Sequence, residues 1–248
     1  MNIAVCVSHV PDTATKIKIA SDEKTIDQSG VTYIINPYDE FAVEEALKTK
    51  EKTGGEVTVI SLGNDNNKET IRKALAMGAD KGILLKADSQ PDSLALAKAL
   101  AEEIKSGGYE LVFFGKQSVD FDNSITGQLT AAFLDYNCVT VVVDFKLEGN
   151  KIIAEREIEG GREVVETELP AVITAQKGLN DPRYASLKGI MAAKKKVIEE
   201  KPAALGENYT EIIKLKTPPA KQPGRILGTD SSAVPELVRL LREEAKVI

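Results

Sequence analysis

The sequence predicts an α/β fold: a parallel sheet with helices on both faces, an antiparallel hairpin, and an extended C-terminal arm ending in a helix. Three observations predict it. Short runs rich in Val, Ile, Leu and Phe alternate with helical stretches, the pattern of strands buried on both faces. One later segment instead alternates charged and apolar residues around a glycine pair, as a half-solvated hairpin does. Beyond residue 198, Pro202, Pro218, Pro219 and Pro223 exclude a continuous helix or a central strand.

The strand-like runs are Asn2–Ser8, Glu56–Leu62, Gly82–Lys86, Glu110–Gly115 and Ala171–Ala175, each bounded by turn residues. Between them, Asp39–Lys52 sets Phe41, Ala42, Ala46 and Leu47 among charges, and Lys68–Met77, Pro91–Ser106 and Asn123–Leu134 follow as helices. Such βα repeats predict right-handed crossovers. The rhythm breaks over Val139–Glu168. There Lys151–Ile158 and Arg162–Thr167 flank Glu159-Gly160-Gly161 as an antiparallel hairpin. Residues Gln176–Met191 show no clean period, Glu199–Gly228 reads as an extended arm, and Ser231–Val247 reads as a closing helix. That helix has Ser231 or Ser232 as N-cap and Leu237, Leu240 and Leu241 on one face. The expected division is an α/β domain over residues 1–198 and an arm with its helix over residues 199–248, the latter needing a surface to pack on.

Composition narrows the function. The net charge of −6 gives no global basic field for nucleic acid or an anionic membrane. Cys6 and Cys138 form no CxxC, so a disulfide framework or structural zinc is not expected, and Cys6 reads as a buried small hydrophobe. The single histidine, His9, argues against a histidine-based triad or a multi-histidine metal site, and no metal is expected. The apolar start Ile3–Val7 is too short and lacks the basic flank of a signal peptide. No apolar run approaches a membrane span. The expected setting is therefore intracellular.

In an open parallel sheet, ligands sit at the carboxyl ends of the strands, where the strand order reverses. The segment Gly115-Lys116-Gln117-Ser118-Val119-Asp120-Phe121-Asp122-Asn123-Ser124-Ile125-Thr126 runs from a strand through a polar loop into a helix start. Free N–H groups and the helix dipole there favour a phosphate. The same residues also suit plain capping, with Asp122 or Asn123 at the N-cap. Asn36-Pro37-Tyr38-Asp39 is a second loop-to-helix passage, with Asp39 as a candidate cap, and the two passages are expected to face one cleft. Neither a P-loop nor a GxGxxG fingerprint occurs. His9 follows the first strand, Lys194–Lys196 reads as a solvated basic run, and Asp144, Glu157 and Glu159 have no pairing that demands acid–base work.

Several stretches nevertheless carry a family pattern. They are Ala154–Val164, Leu169–Thr174, Leu179–Lys196, Asn36–Asp39, Ala42–Ala46, Ala74–Asp80 and Gly115–Gln117. Together, in the right order along the chain, they resemble the beta subunits of electron transfer flavoproteins over nearly the whole chain, most weakly in the arm and last helix. The resemblance implies a nucleotide-binding domain of the adenine nucleotide alpha hydrolase-like type that embraces an alpha subunit. The alpha subunit would hold the redox FAD, and the beta subunit a structural AMP. In bifurcating members the same site holds a second FAD. The heterodimer would carry electrons from acyl-CoA or related flavin dehydrogenases to a membrane quinone oxidoreductase or another acceptor. It would do so in a bacterial cytoplasm or a mitochondrial matrix, without itself inserting in the membrane or acting as an enzyme.

By position, the resemblance implies a nucleotide site from the backbone around Cys6, Asn36, Pro37, Tyr38 and Asp39, the strand end at Leu62, and the loop Gly115–Thr126. Leu179–Lys196 matches the family's recognition loop. Leu187 stands at its anchor position, with Tyr184, Ile190, Met191 and Lys194 around it. Glu157 matches a glutamate at the alpha-subunit interface. Many AMP-binding members carry asparagine where this chain has Ser124, and here the asparagine is Asn123. Thr126-Gly127-Gln128 matches the AMP-type pattern, whereas bifurcating members carry an apolar residue followed by Gly-Pro.

Overall fold

A computed structural model describes residues 1–248 except Asp88 and Gln222, so Gln222 in the expected arm lies outside the described residues. The chain runs β1 (Asn2–Cys6), β2 (His9–Pro11), β3 (Tyr33–Ile35), α1 (Pro37–Thr53), β4 (Glu56–Gly63), α2 (Asn67–Met77), β5 (Lys81–Lys86), α3 (Ser93–Gly107) and β6 (Leu111–Gly115). It continues through α4 (Thr126–Leu134), β7 (Asn137–Glu148), β8 (Lys151–Ile158), β9 (Gly161–Glu168), β10 (Ala171–Ala175), α5 (Leu187–Lys195), β11 (Ile198–Pro202) and α6 (Val234–Glu243).

One nine-stranded sheet has the order β11-β5-β4-β1-β6-β10-β7-β8-β9. Every pairing from β11 to β7 is parallel, and β7-β8-β9 is antiparallel. From β1 the chain builds outward through β4 and β5, then returns to β6 on the other flank of β1. The switch point thus lies between the carboxyl ends of β1 and β6, where such sheets bind ligands.

The central strands are buried on both faces because their side chains alternate between two cores. Ile3 and Val5 of β1 and Leu111 and Phe113 of β6 join one cluster with Val43 and Leu47 of α1. Ala4, Cys6, Val112 and Phe114 face the other, with Leu100 and Ile104 of α3. The first core extends into the antiparallel part, where Phe113 meets Phe145 of β7 edge-on, with ring centroids 5.3 Å apart.

Several expectations need correction. The expected hairpin is present as β8–β9, and β7, a twelve-residue strand the pattern did not give, extends it to a three-stranded meander. The arm does not begin at Glu199: Ile198–Pro202 pairs in parallel with β5, so the boundary at residue 198 falls inside an edge strand. Part of Gln176–Met191 is helical, as α5. The closing helix is shorter than Ser231–Val247, and Asp230, not a serine, caps its leading 3-10 turn. The remaining strands and helices lie where the pattern placed them, within a few residues at their ends.

Candidate functional site

Three chain passages meet at the switch point, and two side chains of the α1 start join them. Asp39 is buried and accepts Ser8 N after β1 at 2.7 Å, Gly115 N at the end of β6 at 3.0 Å, and Asn36 Nδ2 at 2.9 Å. Asn36 is also buried; its Nδ2 reaches Gln117 O at 2.8 Å, and its Oδ1 accepts Val119 N at 3.2 Å. The two loop-to-helix passages therefore do face one cleft. Asp39 is not the helix cap. Asn36 occupies the cap position, but no side-chain cap bond forms there and Pro37 opens the helix. Both side chains are spent on cross-chain braces.

Burial dominates the Asp39 carboxyl and pushes it up to about 7, against the pull of its three hydrogen bonds. Close approach explains Gly115. A Cβ there would sit 2.3 Å from Asp39 Oδ1 and 2.7 Å from Tyr38 Cβ. Cys6 lies in the same buried layer, and burial raises its thiol well above the ordinary value. Leu62 is the penultimate residue of β4, opposite Leu85 of β5, and its carbonyl accepts Asn67 Nδ2 at 3.1 Å.

The loop from Lys116 to Ile125 folds on itself. Gln117 reaches Asp122 at 2.5 Å and accepts Ser124 Oγ at 3.0 Å, and Asp122 N donates to Ser118 O at 2.9 Å. Lys116 Nζ lies 5.0 Å over the Tyr38 ring. Asp120 accepts its neighbour Phe121 N, and Asn123 Nδ2 reaches Ser93 Oγ at 3.0 Å, tying the loop to the start of α3. Asp122 and Ser124 both adopt left-handed backbone, φ 54° each, which delays the helix. Capping by Asp122 or Asn123 is thus corrected: α4 starts at Thr126, after Ile125, without a side-chain cap. Its first N–H groups are left for another acceptor. Gln128, one turn in, donates to Ser124 O at 2.6 Å, while its buried Oε1 has no partner among the described residues.

The sequence model of the electron transfer flavoprotein domain matches residues 24–205. An electron transfer flavoprotein subunit beta of Bacillus subtilis is 39% identical over 260 residues, covering 100% of both chains. One of Bradyrhizobium diazoefficiens is 43% identical over 258 residues, again covering 100% of both. One of Homo sapiens is 41% identical over 251 residues, covering 98% of both. The chain belongs to the electron transfer flavoprotein beta-subunit family.

That membership gives it an electron-transfer role within a flavoprotein, and no helix among the described residues is long and apolar enough to cross a membrane. The site fits a phosphate on two counts, an uncapped helix start and braces that hold the strand ends without using its N–H groups, while the orphaned Gln128 carbonyl suits a hydroxyl or amino donor. No group of metal-ligating side chains occurs among the described residues. His9 takes a structural place. It stacks on Tyr33 at 4.7 Å, its Nδ1 lies 2.8 Å from Thr70 Oγ1, and burial lowers its pKa.

The segment Leu179–Lys196 forms α5 and the irregular stretch before it. Ser186 caps α5 by accepting Gly189 N at 3.0 Å. Gly189 presses on α2, since a Cβ there would lie 2.4 Å from Ala76 O. Tyr184 is 99% exposed, Leu187 83% and Met191 59%; Ile190 and Lys194 are also exposed, and Ala193 faces inward. Glu157 is exposed near the end of β8, opposite Arg162 of β9, and accepts Gln176 Nε2 at 2.8 Å. Sequence reasoning missed the residues that hold this segment: Arg72, which donates to Ala193 O and Lys196 O, and the contacts of Arg183 and Asn180 with α1.

Proposed function

We propose that the chain is the beta subunit of a heterodimeric electron transfer flavoprotein and binds a structural AMP at the β1–β6 switch point. The observation that carries this is the cleft itself: Asn36 and Asp39 lock three chain passages together and leave the α4 start uncapped. The phosphate lies at the first turn of α4, beside Ser124, Ile125 and Thr126. The passages around Cys6, Asn36–Asp39, Leu62 and Gly115–Asn123 enclose the nucleoside. Gln128 Oε1, left without a partner, is placed to accept from the ligand or its water.

The redox group is an FAD held mainly by the alpha subunit, and it supplies the electron chemistry. This chain supplies no catalytic residue. It docks acyl-CoA dehydrogenases or related flavin dehydrogenases through Leu187, Tyr184, Ile190, Met191 and Lys194, and electrons pass on to a quinone oxidoreductase or another acceptor. A leucine so exposed on a helix with a basic end suits an anchor that fills an apolar pocket. The arm and α6 pack on the alpha subunit. Ile213, Ile226, Leu237 and Val238 are exposed there, apolar area that asks for a cover.

Co-expression with the alpha subunit, followed by acid release of nucleotides from the purified complex, tests this reading. One FAD and one AMP per heterodimer are expected. Two FAD and no AMP would replace the structural AMP by a second flavin and make the complex a bifurcating one.

A further inference from the structure

Between residues 180 and 183 the chain approaching the docking segment is fastened to the middle of α1 by charged and amide groups. Glu44 is nearly buried, its side chain 7% exposed. Its carboxylate accepts Arg183 Nε at 2.8 Å, Arg183 Nη2 at 2.9 Å and the Arg183 backbone N at 3.1 Å. Two turns along α1, Glu51 accepts Arg183 Nη1 at 2.6 Å and Nη2 at 3.2 Å. Beside them Asn180 Nδ2 reaches Glu45 Oε2 at 2.9 Å and Phe41 O at 3.0 Å. One guanidinium thus spans two carboxylates with its planar fork, which a lysine cannot do. A buried carboxylate without such donors is costly, so the arrangement holds as a unit.

The far end of the segment is fastened as well. Arg72 of α2 donates to Ala193 O and Lys196 O, and Lys196 Nζ donates to Ala79 O. Between the two fastenings stand the most exposed apolar side chains of the segment, Tyr184 and Leu187. Arg183 adjoins Tyr184 in sequence and ends one turn before Leu187.

We propose that Arg183, Glu44, Glu51 and the Asn180–Glu45 pair form a clamp that sets the height and direction of the docking segment before a dehydrogenase arrives. These are positioning residues, and the proposal rests on the docking reading given above. An anchor already ordered loses less freedom on binding, so the clamp acts on encounter with the donor and not on electron transfer within the complex.

The test uses the heterodimer purified with its alpha subunit and a purified acyl-CoA dehydrogenase reduced by its acyl-CoA as donor. Arg183→Gln is expected to raise the KM for the flavoprotein roughly tenfold with kcat within about twofold. FAD and AMP content should not change. Hydrogen exchange should quicken at the amides from Arg183 to Leu187 and not in the central strands. Glu44→Gln should act similarly, and the double variant should be no worse than the more impaired single one, because the two act as a pair. If Arg183→Gln impairs assembly, Arg183→Lys and Glu51→Gln carry the test, each with a smaller KM increase. Leu187→Ala separates the two ideas. If it raises KM while the clamp variants leave both KM and exchange unchanged, the clamp is overturned and docking stands. If Leu187→Ala also leaves KM unchanged, the docking reading falls and the clamp proposal with it.

Discussion

The Asp39 carboxyl offers a quantitative check on the cleft, through the substitution Asp39→Asn. Burial lifts this group from 3.8 to about 7, and no ion pair among the described residues relieves it. Unfolded, an aspartate titrates near pH ~3.9. The folded pKa is the higher one, so the folded state binds the extra proton. The group's contribution to stability is therefore fully present below about pH 4 and is lost as the pH rises through about 7. At about 1.4 kcal/mol for each pH unit between the two values, roughly 4 kcal/mol disappears across that window. Asparagine does not titrate. Its NH2 also faces an N–H donor that the carboxylate had accepted, a penalty of about 1–3 kcal/mol that does not vary with pH. The stability of the original chain relative to Asp39→Asn should thus be largest near pH 4 and fall steadily to pH 8. The chain has no Trp, so far-UV circular dichroism during urea unfolding is the suitable assay. A stability difference that stays flat from pH 4 to 8 would refute the argument: it would mean that the carboxyl ionises freely in the folded cleft.

Two further outcomes concern the same cleft. Gly115→Ala places a methyl 2.3 Å from Asp39 Oδ1 and against the Tyr38 backbone; since β6 and α1 must part, a loss of about 1–3 kcal/mol is expected, with AMP lost from the purified complex, read by unfolding and acid release. Gln128→Leu removes the orphaned carbonyl; the nucleotide-free melting temperature should hold or rise, while AMP retention falls on dialysis, and unchanged retention would mean that Oε1 does not face the ligand.

How much of this was legible in the sequence follows from where each signal resides. The strands β1, β6 and β10 were readable because every second residue feeds one core and the alternate residues the other, which leaves a short unbroken apolar run. The cleft was readable as strand end, glycine and polar loop, since the topology puts those ends together. The start of α4 was misplaced because a left-handed Asp122 and Ser124 hold off the first turn, and nothing in Asp-Asn-Ser signals that. β7 was missed for a different reason. Its buried residues are Val139, Val142 and Phe145, three apart, because the register slips against β10 near Thr174 and against β8 beyond Val142. Val141 sits at φ 59° in the first slip, and its N–H goes to Thr174 Oγ1 at 2.9 Å instead of the ladder. Bulges reset the parity on which strand recognition depends.

The segment Leu179–Lys196 resists reading for the opposite reason to β7. Its helix turns Leu187 and Met191 outward and only Ala193 inward, so an apolar face points away from its own core and gives no usable period. What holds it is not local either. Arg183 meets Glu44 across 139 residues, a separation that no pattern along the chain can detect. One trace was nonetheless present in α1. The stretch Ala42-Val43-Glu44-Glu45-Ala46-Leu47 is buried throughout, so the middle of this helix has no wet side on which to leave two carboxylates. A covered helix carrying adjacent glutamates needs donors from elsewhere in the fold. The candidate donors in a chain of this pattern are arginine and asparagine side chains on an irregular segment near the strand ends, and Asn180 and Arg183 follow β10 directly. Arg183 and Asn180 thus tie the segment before α5 to the same helix whose first turn braces the strand ends.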